Sequence, residues 1–155
     1  MSRRVTLKPL AAPDRPLWDA LAHLYAYDFS EMFDIVLDSD GTFPAHECFD
    51  MVWTDPDRHA RLIFVGGEIA GFGIVRWYDD AFEVEQFLVL RKFRRCGVGR
   101  RAAALLFDAF QGSWIVDQVP ENAAAIQFWS SVIEEYTDGK ASHHVTPYPH
   151  QKFET

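Results

Sequence analysis

A chain of 155 residues with 48% apolar side chains, 13 Phe and 5 Trp among them, has the material for one packed core and the size of one domain. Its formal net charge of −8 argues against a general nucleic-acid binder, because neutralising phosphates takes clustered surface cations. Cys48 and Cys96 lie far apart with no Cys-x-x-Cys pair, which suggests neither a disulfide framework nor a zinc module. No apolar run reaches membrane-spanning length, and Lys8, Pro9, Pro13 and Asp14 interrupt the basic N-terminus where a signal peptide would be apolar, so the expected location is the cytoplasm.

Along the chain, Val5 to Leu7 predicts a short first strand ended by Pro9. Asp14-Arg-Pro16 then opens a helix with Leu17, Leu21, Leu24 and Tyr25 at helical spacing. An aromatic-rich stretch follows from Tyr25 to Phe49. Arg61 to Val65 and Ile69 to Trp77, separated by Gly66-Gly67-Glu68, predict an antiparallel hairpin. After Tyr78-Asp79-Asp80, Phe82 to Leu90 reads as a third strand and Gly99 to Phe110 as a helix with Ala102, Leu105, Leu106, Ala109 and Phe110 on one side. Trp114 to Val119 predicts a strand closed by Pro120. Asn122 to about Glu134 predicts a helix carrying Ala125, Ile126, Trp129 and Ile133, and the turn-rich tail from Tyr136 supplies one or two last strands. No repeat, low-complexity tract or Gly/Ser linker divides the chain, so residues 1–155 are expected to form a single domain.

The informative loop is Arg94-Arg95-Cys96-Gly97-Val98-Gly99-Arg100, between a β-rich segment and an amphipathic helix. Glycines let backbone amides turn toward a ligand, and a helix start offers unpaired N–H groups with partial positive charge. The dense basic cluster is local to Arg91, Lys92, Arg94, Arg95, Arg100 and Arg101, which in an acidic protein reads as the site of one small polyanion such as a diphosphate. The loop is neither a Walker loop, lacking Lys-Ser or Lys-Thr, nor a dinucleotide fingerprint with its three spaced glycines.

The run from Glu83 to Arg101 resembles motif A of the GNAT N-acetyltransferase superfamily, whose loop reads [Q/R]-x-x-G-x-[G/A] after a strand. Arg94, Gly97 and Gly99 match it, with Val89 five residues before Arg94. Asn122-Ala-Ala-Ala-Ile-Gln-Phe-Trp129 is similar to the next motif, N-x-x-A-x-x-F-[Y/W], in the right order downstream. The resemblance is clear from about Ile63 to Trp129. It implies an α/β fold with a central mixed, mostly antiparallel sheet flanked by helices, and acetyl-CoA as donor co-substrate. It further implies that the strand around Phe87, Leu88 and Val89 splays from the strand after Trp114 to admit the pantetheine arm. In the same scheme, amides from Arg95, Cys96, Gly97, Val98, Gly99 and Arg100 hold the diphosphate, with Arg94, Asn122 and Trp129 completing the donor site.

Attack of a neutral amine on a thioester needs a proton acceptor and an oxyanion donor. By the resemblance, Glu83, six residues before Val89, matches the general base of histone-type members, and the backbone N–H of Val89 is the oxyanion donor. Glu85 projects from the same face by strand alternation and is a second candidate for the proton. Both glutamates equally fit an exposed strand face or a paired charge. Many relatives carry a tyrosine acid where this chain has Trp129, whose indole donates a hydrogen bond but no usable proton. Packing is the expected role there.

Cys96 is read as a tolerated loop residue, and His143, His144 and His150 fit no common metal pattern, so no metal is expected. Trp18, Tyr25, Tyr27, Phe29, Phe33, Phe43, Phe49 and Trp53 are read mostly as core, part of them walling an acceptor pocket in which Asp28 and Glu31 are candidates to hold a cationic amine. The expected acceptor is a small-molecule or peptide amine. No nucleic acid or membrane partner is expected, and a homodimer is left open. Two rival readings are a non-catalytic acyl-CoA-binding sensor or scaffold on the same fold, and an unrelated nucleotide-binding domain.

Overall fold

The computed structural model describes residues 3–155. Seven strands form one sheet: β1 (Val5–Pro9), β2 (Arg58–Val65), β3 (Glu68–Tyr78), β4 (Ala81–Val89), β5 (Ser113–Asp117), β6 (Ser142–His144) and β7 (His150–Glu154). Their order is β1-β2-β3-β4-β5-β7-β6, antiparallel throughout except for the parallel pair β4 and β5. The helices are α1 (Arg15–Phe29), the one-turn α2 (Cys48–Met51), α3 (Val98–Ala109) and α4 (Ala123–Tyr136). This is the mixed, mostly antiparallel α/β architecture expected from the sequence.

The two sheet faces hold different cores. On one, Trp18, Leu21 and Tyr25 of α1 and Phe49 of α2 pack on Leu62, Phe72, Ile74 and Leu88. On the other, Leu106 and Phe107 of α3 and Trp129 and Ile133 of α4 pack on Val75, Val84, Trp114 and Phe153. Gly66 and Gly67, both at positive φ, make the β2–β3 turn, where a Cβ would be strained. Asn122 caps α4, its side chain accepting from Ala125 N–H at 3.0 Å.

Two helical faces differ from the sequence reading. Leu24 is 48% exposed, because the buried stripe of α1 runs through Trp18, Leu21, Ala22, Tyr25 and Ala26. In α3 the stripe is Val98, Ala102, Ala103, Leu106 and Phe107, while Ala109 faces solvent. Phe107 instead fills the space between Trp114, Phe153 and Tyr136, a cross-layer fit that periodicity within one helix does not encode. The aromatic stretch is only partly core: Tyr27 is 56% exposed, and Phe33 is exposed as well.

Strand β4 positions the site. Its register against β3 runs Gly73↔Phe87 and Ile74↔Gln86, then slips to Val75↔Val84, so Glu85 is an extra residue in a β-bulge. The insertion changes which residues face each layer. Phe82 and Val84 lie on the α3–α4 side before it, Phe87 and Val89 after it, and Glu83, Glu85, Gln86 and Leu88 face the α1 side.

Candidate functional site

Just before the bulge, β4 parts from its parallel neighbour. Among the described residues the two strands pair only at Phe82↔Trp114 and Glu83↔Ile115. Leu90 N–H donates to Ala70 O at 2.8 Å, so alternate peptide groups of β4 serve β3 while the N–H groups of Phe87 and Val89 point the other way, into the gap toward β5. Backbone donors in a gap with no strand to receive them are a ready site for a ligand's amides and carbonyls.

Aromatic rings floor the gap on the α3–α4 side. Phe87 stacks on Phe128 at 5.9 Å and meets Trp129 edge-on at 5.0 Å. Trp129 is buried in the core, in keeping with a packing role, and this position offers no hydroxyl acid. Gly99 lies close under this floor: a Cβ would come within 3.1 Å of the Phe128 ring, which would have to give by a few tenths of an ångström, and in contact with Val89 at 3.6 Å. Leu88 departs from its expected place in the donor site. Its side chain is buried against the α1 layer and its backbone lies opposite Phe72 in the ladder, leaving nothing aimed at the gap.

The Arg94–Arg100 loop sits at the end of β4. Gly97 occupies the left-handed region (φ 81, ψ 0) and is followed directly by helical Val98, the alternation that converges successive N–H groups into an anion-binding nest. No side chain caps α3, and the first helical hydrogen bond is Arg101 N–H to Gly97 O at 3.1 Å, so the amides of Val98, Gly99 and Arg100 lack intrahelical acceptors. Arg95, also at positive φ, is exposed. Arg100 pairs with Glu135, and the Cys96 thiol donates to Phe93 O at 3.0 Å. The Arg94 side chain donates from Nε to Val89 O at 2.7 Å and from Nη2 to Asp28 at 2.8 Å. It thereby ties the loop to the end of β4 and to α1. Asp28, expected to hold a cationic amine, is therefore already committed to arginine, with Arg91 a further 3.7 Å contact.

On the α1 side of the gap lies a charged cluster. Glu83, in register with Arg76, is 3.4 Å from the Arg76 guanidinium, which also covers the Tyr78 ring at 4.2 Å. Burial pushes the Glu83 carboxyl above the usual carboxylate range. Asp117 and Glu85 add to the rise, and Arg76 and Arg58 oppose it. A carboxyl so tuned is closer to the pH at which a base works best. Glu85 has a different environment: the Arg58 guanidinium grips both its oxygens at 2.9 Å, and Arg58 turns its third nitrogen to Asp55. Nearby, burial raises the Tyr25 hydroxyl well above its ordinary value and the Cys48 thiol to about 12, so both stay protonated. Tyr25 donates to the Gln86 side chain.

Glu83, Phe87, Val89, Arg94–Arg100 and Trp129 thus gather around one gap, and Asn122 caps the helix whose aromatics floor it. Sequence reasoning missed Arg58, Arg76 and Asp117. Arg58 begins β2 three residues before the expected start, and no motif marks any of the three. Among the described residues no group of three or more His, Cys, Asp or Glu could hold a metal ion, and no helix is long and apolar enough to cross a membrane.

Residues 18–132 match the model of the acetyltransferase (GNAT) family. Solved structures with the same fold include an acetyltransferase from Thermus thermophilus, 19% identical over 100% of both chains with a TM-score of 0.70. An aminoglycoside acetyltransferase, AAC(6')-Ib, solved with coenzyme A, is 14% identical over 97% of this chain and 95% of its own, with a TM-score of 0.67. The ribosomal-protein-S18-alanine N-acetyltransferase of Escherichia coli is 17% identical over 96% of this chain and 90% of its own, with a TM-score of 0.60. No curated protein matches the chain.

Proposed function

The chain belongs to the acetyltransferase (GNAT) family, and from that premise we propose that it transfers the acetyl group of acetyl-CoA to a primary amine of a small molecule or peptide, by direct attack in a ternary complex. The observation that carries this reading is the opening of β4 from β5 after Glu83, with the amides of Phe87 and Val89 aimed into the gap and a glycine nest at its end. In this reading the nest and the start of α3 hold the donor's diphosphate, Phe87 and Val89 pair with the pantetheine amides, and Asn122 and the aromatic floor complete the slot. Coenzyme A in a related fold supports this choice of donor.

Glu83 is the proton acceptor, directly or through water. It takes the proton from the amine nitrogen as the C–N bond forms, Val89 N–H donates to the carbonyl oxygen as negative charge builds there, and the C–S bond then breaks. A thiol has a pKa of about 8.5, so the thiolate leaves without needing an acid at Trp129. Glu85 is not assigned the proton, because its carboxylate is held by Arg58. The net charge of −8 mildly favours cationic amines, which a negative field attracts. The protein is proposed to act in the cytoplasm.

Release of CoA thiol, screened against polyamines, amino acids, aminoglycosides and peptides, tests the reading. Amine-dependent release that collapses in Glu83→Gln supports it. Tight acetyl-CoA binding with no release across the panel favours the second reading, a sensor or scaffold, which draws on the buried Trp129 in place of a hydroxyl acid.

A further inference from the structure

Arg58 lies outside the gap, on β2, two strands from the strand it serves. Its side chain is 7% exposed and that of Glu85 is 13% exposed. The guanidinium reaches past β3, where Arg58 lies opposite Arg76 and Arg76 opposite Glu83, and closes a two-pronged grip on the carboxylate of the one inserted residue of β4. Asp55 fixes the remaining nitrogen from the α2–β2 turn, and the Asp55 carboxylate is itself held by Asp57 N–H at 2.9 Å. A nearly buried guanidinium with this many matched partners is a rigid strut, since its planar fork tolerates one orientation of the carboxylate.

What the strut holds is a defect in the ladder. A bulge bends its strand and leaves a residue without a cross-strand partner, so the ladder constrains that residue less than its neighbours. Here the bulge decides where the following residues aim, because the slip between Val84 and Gln86 sets Phe87 and Val89 on the side of the gap. Resting on the acetyl-transfer reading above, we propose that Arg58 is a positioning residue for catalysis: by clamping Glu85 it fixes the β4 bulge and thereby the aim of the Phe87 and Val89 amides. Arg58 touches neither donor nor acceptor in this scheme, and Glu85 serves as its anchor rather than as a base.

The test compares Arg58→Gln, Arg58→Lys, Glu85→Gln and the uncharged double variant R58Q/E85Q with the intact protein. The readouts are kcat, donor KM, calorimetric CoA affinity, and amide hydrogen exchange along β4. Arg58→Gln is expected to lower kcat about 10- to 100-fold, the range for a misaimed oxyanion donor, with CoA affinity within about threefold. Exchange should quicken at Gln86 and Leu88, whose N–H groups face β3 in the ladder beside the bulge, while β2 stays protected. Arg58→Lys keeps the charge but not the fork, so it should recover kcat only in part. Should the single variants fail to fold, the double variant removes both members of the clamp, leaves only the Asp55 carboxylate without its cation but still held by Asp57 N–H, and carries the same expectation. A kcat within twofold of the parent, full rescue by lysine, or a fall in kcat that tracks CoA affinity and global stability would overturn the proposal. The exchange measurement needs no turnover: failure of the intact protein to transfer acetyl sinks the functional reading, while unchanged exchange at Gln86 and Leu88 sinks the strut.

Discussion

Replacing Gly97 with alanine isolates the backbone geometry of the anion nest. Gly97 sits at φ 81, ψ 0, and a Cβ built there meets nothing within 4 Å, so alanine brings no clash and only a conformational cost. Holding a non-glycine L-residue in the left-handed region costs about 1–2 kcal/mol. Two outcomes share that energy. If the turn keeps its shape, the fold loses about 1–2 kcal/mol and Tm drops by about 2–8 °C, at about 2–4 °C per kcal/mol for a domain of this size. If the turn relaxes, the converging amides are lost and CoA binds more weakly, by about 5- to 30-fold for the same energy. Asparagine tolerates this region better than alanine, so Gly97→Asn is expected to lose less on both counts. Calorimetry with CoA and thermal melts with and without ligand separate the two. Refutation would be a Gly97→Ala protein that binds CoA and melts like the parent, or an asparagine variant worse than alanine.

Glu83→Gln should reduce kcat by about 10²- to 10⁴-fold with little effect on CoA affinity, measured by steady-state kinetics and calorimetry. The same substitution has a stability signature. Because burial raises the Glu83 pKa on folding, its ionised form opposes folding, so its stabilising contribution is present below the ordinary glutamate range and lost as pH rises through the raised folded value. Glu83→Gln should therefore melt higher than the parent at neutral pH, with the gap closing in acid. Arg76→Met removes the neighbouring cation that lowers the Glu83 pKa, so the acidic limb of the pH profile for kcat/KM should move to higher pH. Phe107→Ala, at a fully buried ring wedged among Trp114, Tyr136 and Phe153, should cost about 3–5 kcal/mol in denaturant unfolding.

The parts of the site legible in the sequence are those whose chemistry is local. A glycine at positive φ leading into a helix makes its own amide nest, so Arg94 to Arg100 could be placed from the run itself. Most strands and the three longer helices were likewise marked by periodicity and by turns such as Gly66-Gly67, within a few residues of their observed ends, whereas the one-turn α2 was not marked. Relations between distant segments were not legible. The apolar phase of Phe82 and Val84 slips by one residue before Phe87 and Val89, but only pairing with β3 shows that the inserted residue is Glu85. Glu83 and Glu85 look alike in sequence, yet Arg58, 27 residues upstream of Glu85, takes one and leaves the other beside Arg76. Asp28 looked available for an amine until the fold set it against Arg94, 66 residues away. Burial of Phe107 in place of Ala109 depends on the rings of β5, α4 and β7 that meet it.

Backbone amides, more than side chains, are held to bind the donor, and residue-resolved amide exchange on the intact protein at saturating CoA measures that directly. Protection should rise at Phe87 and Val89 and from Arg95 to Arg100, with little change in β1, β6 or β7. Saturation with CoA that leaves these amides exchanging as in the free protein, or that protects a different surface, would contradict the account.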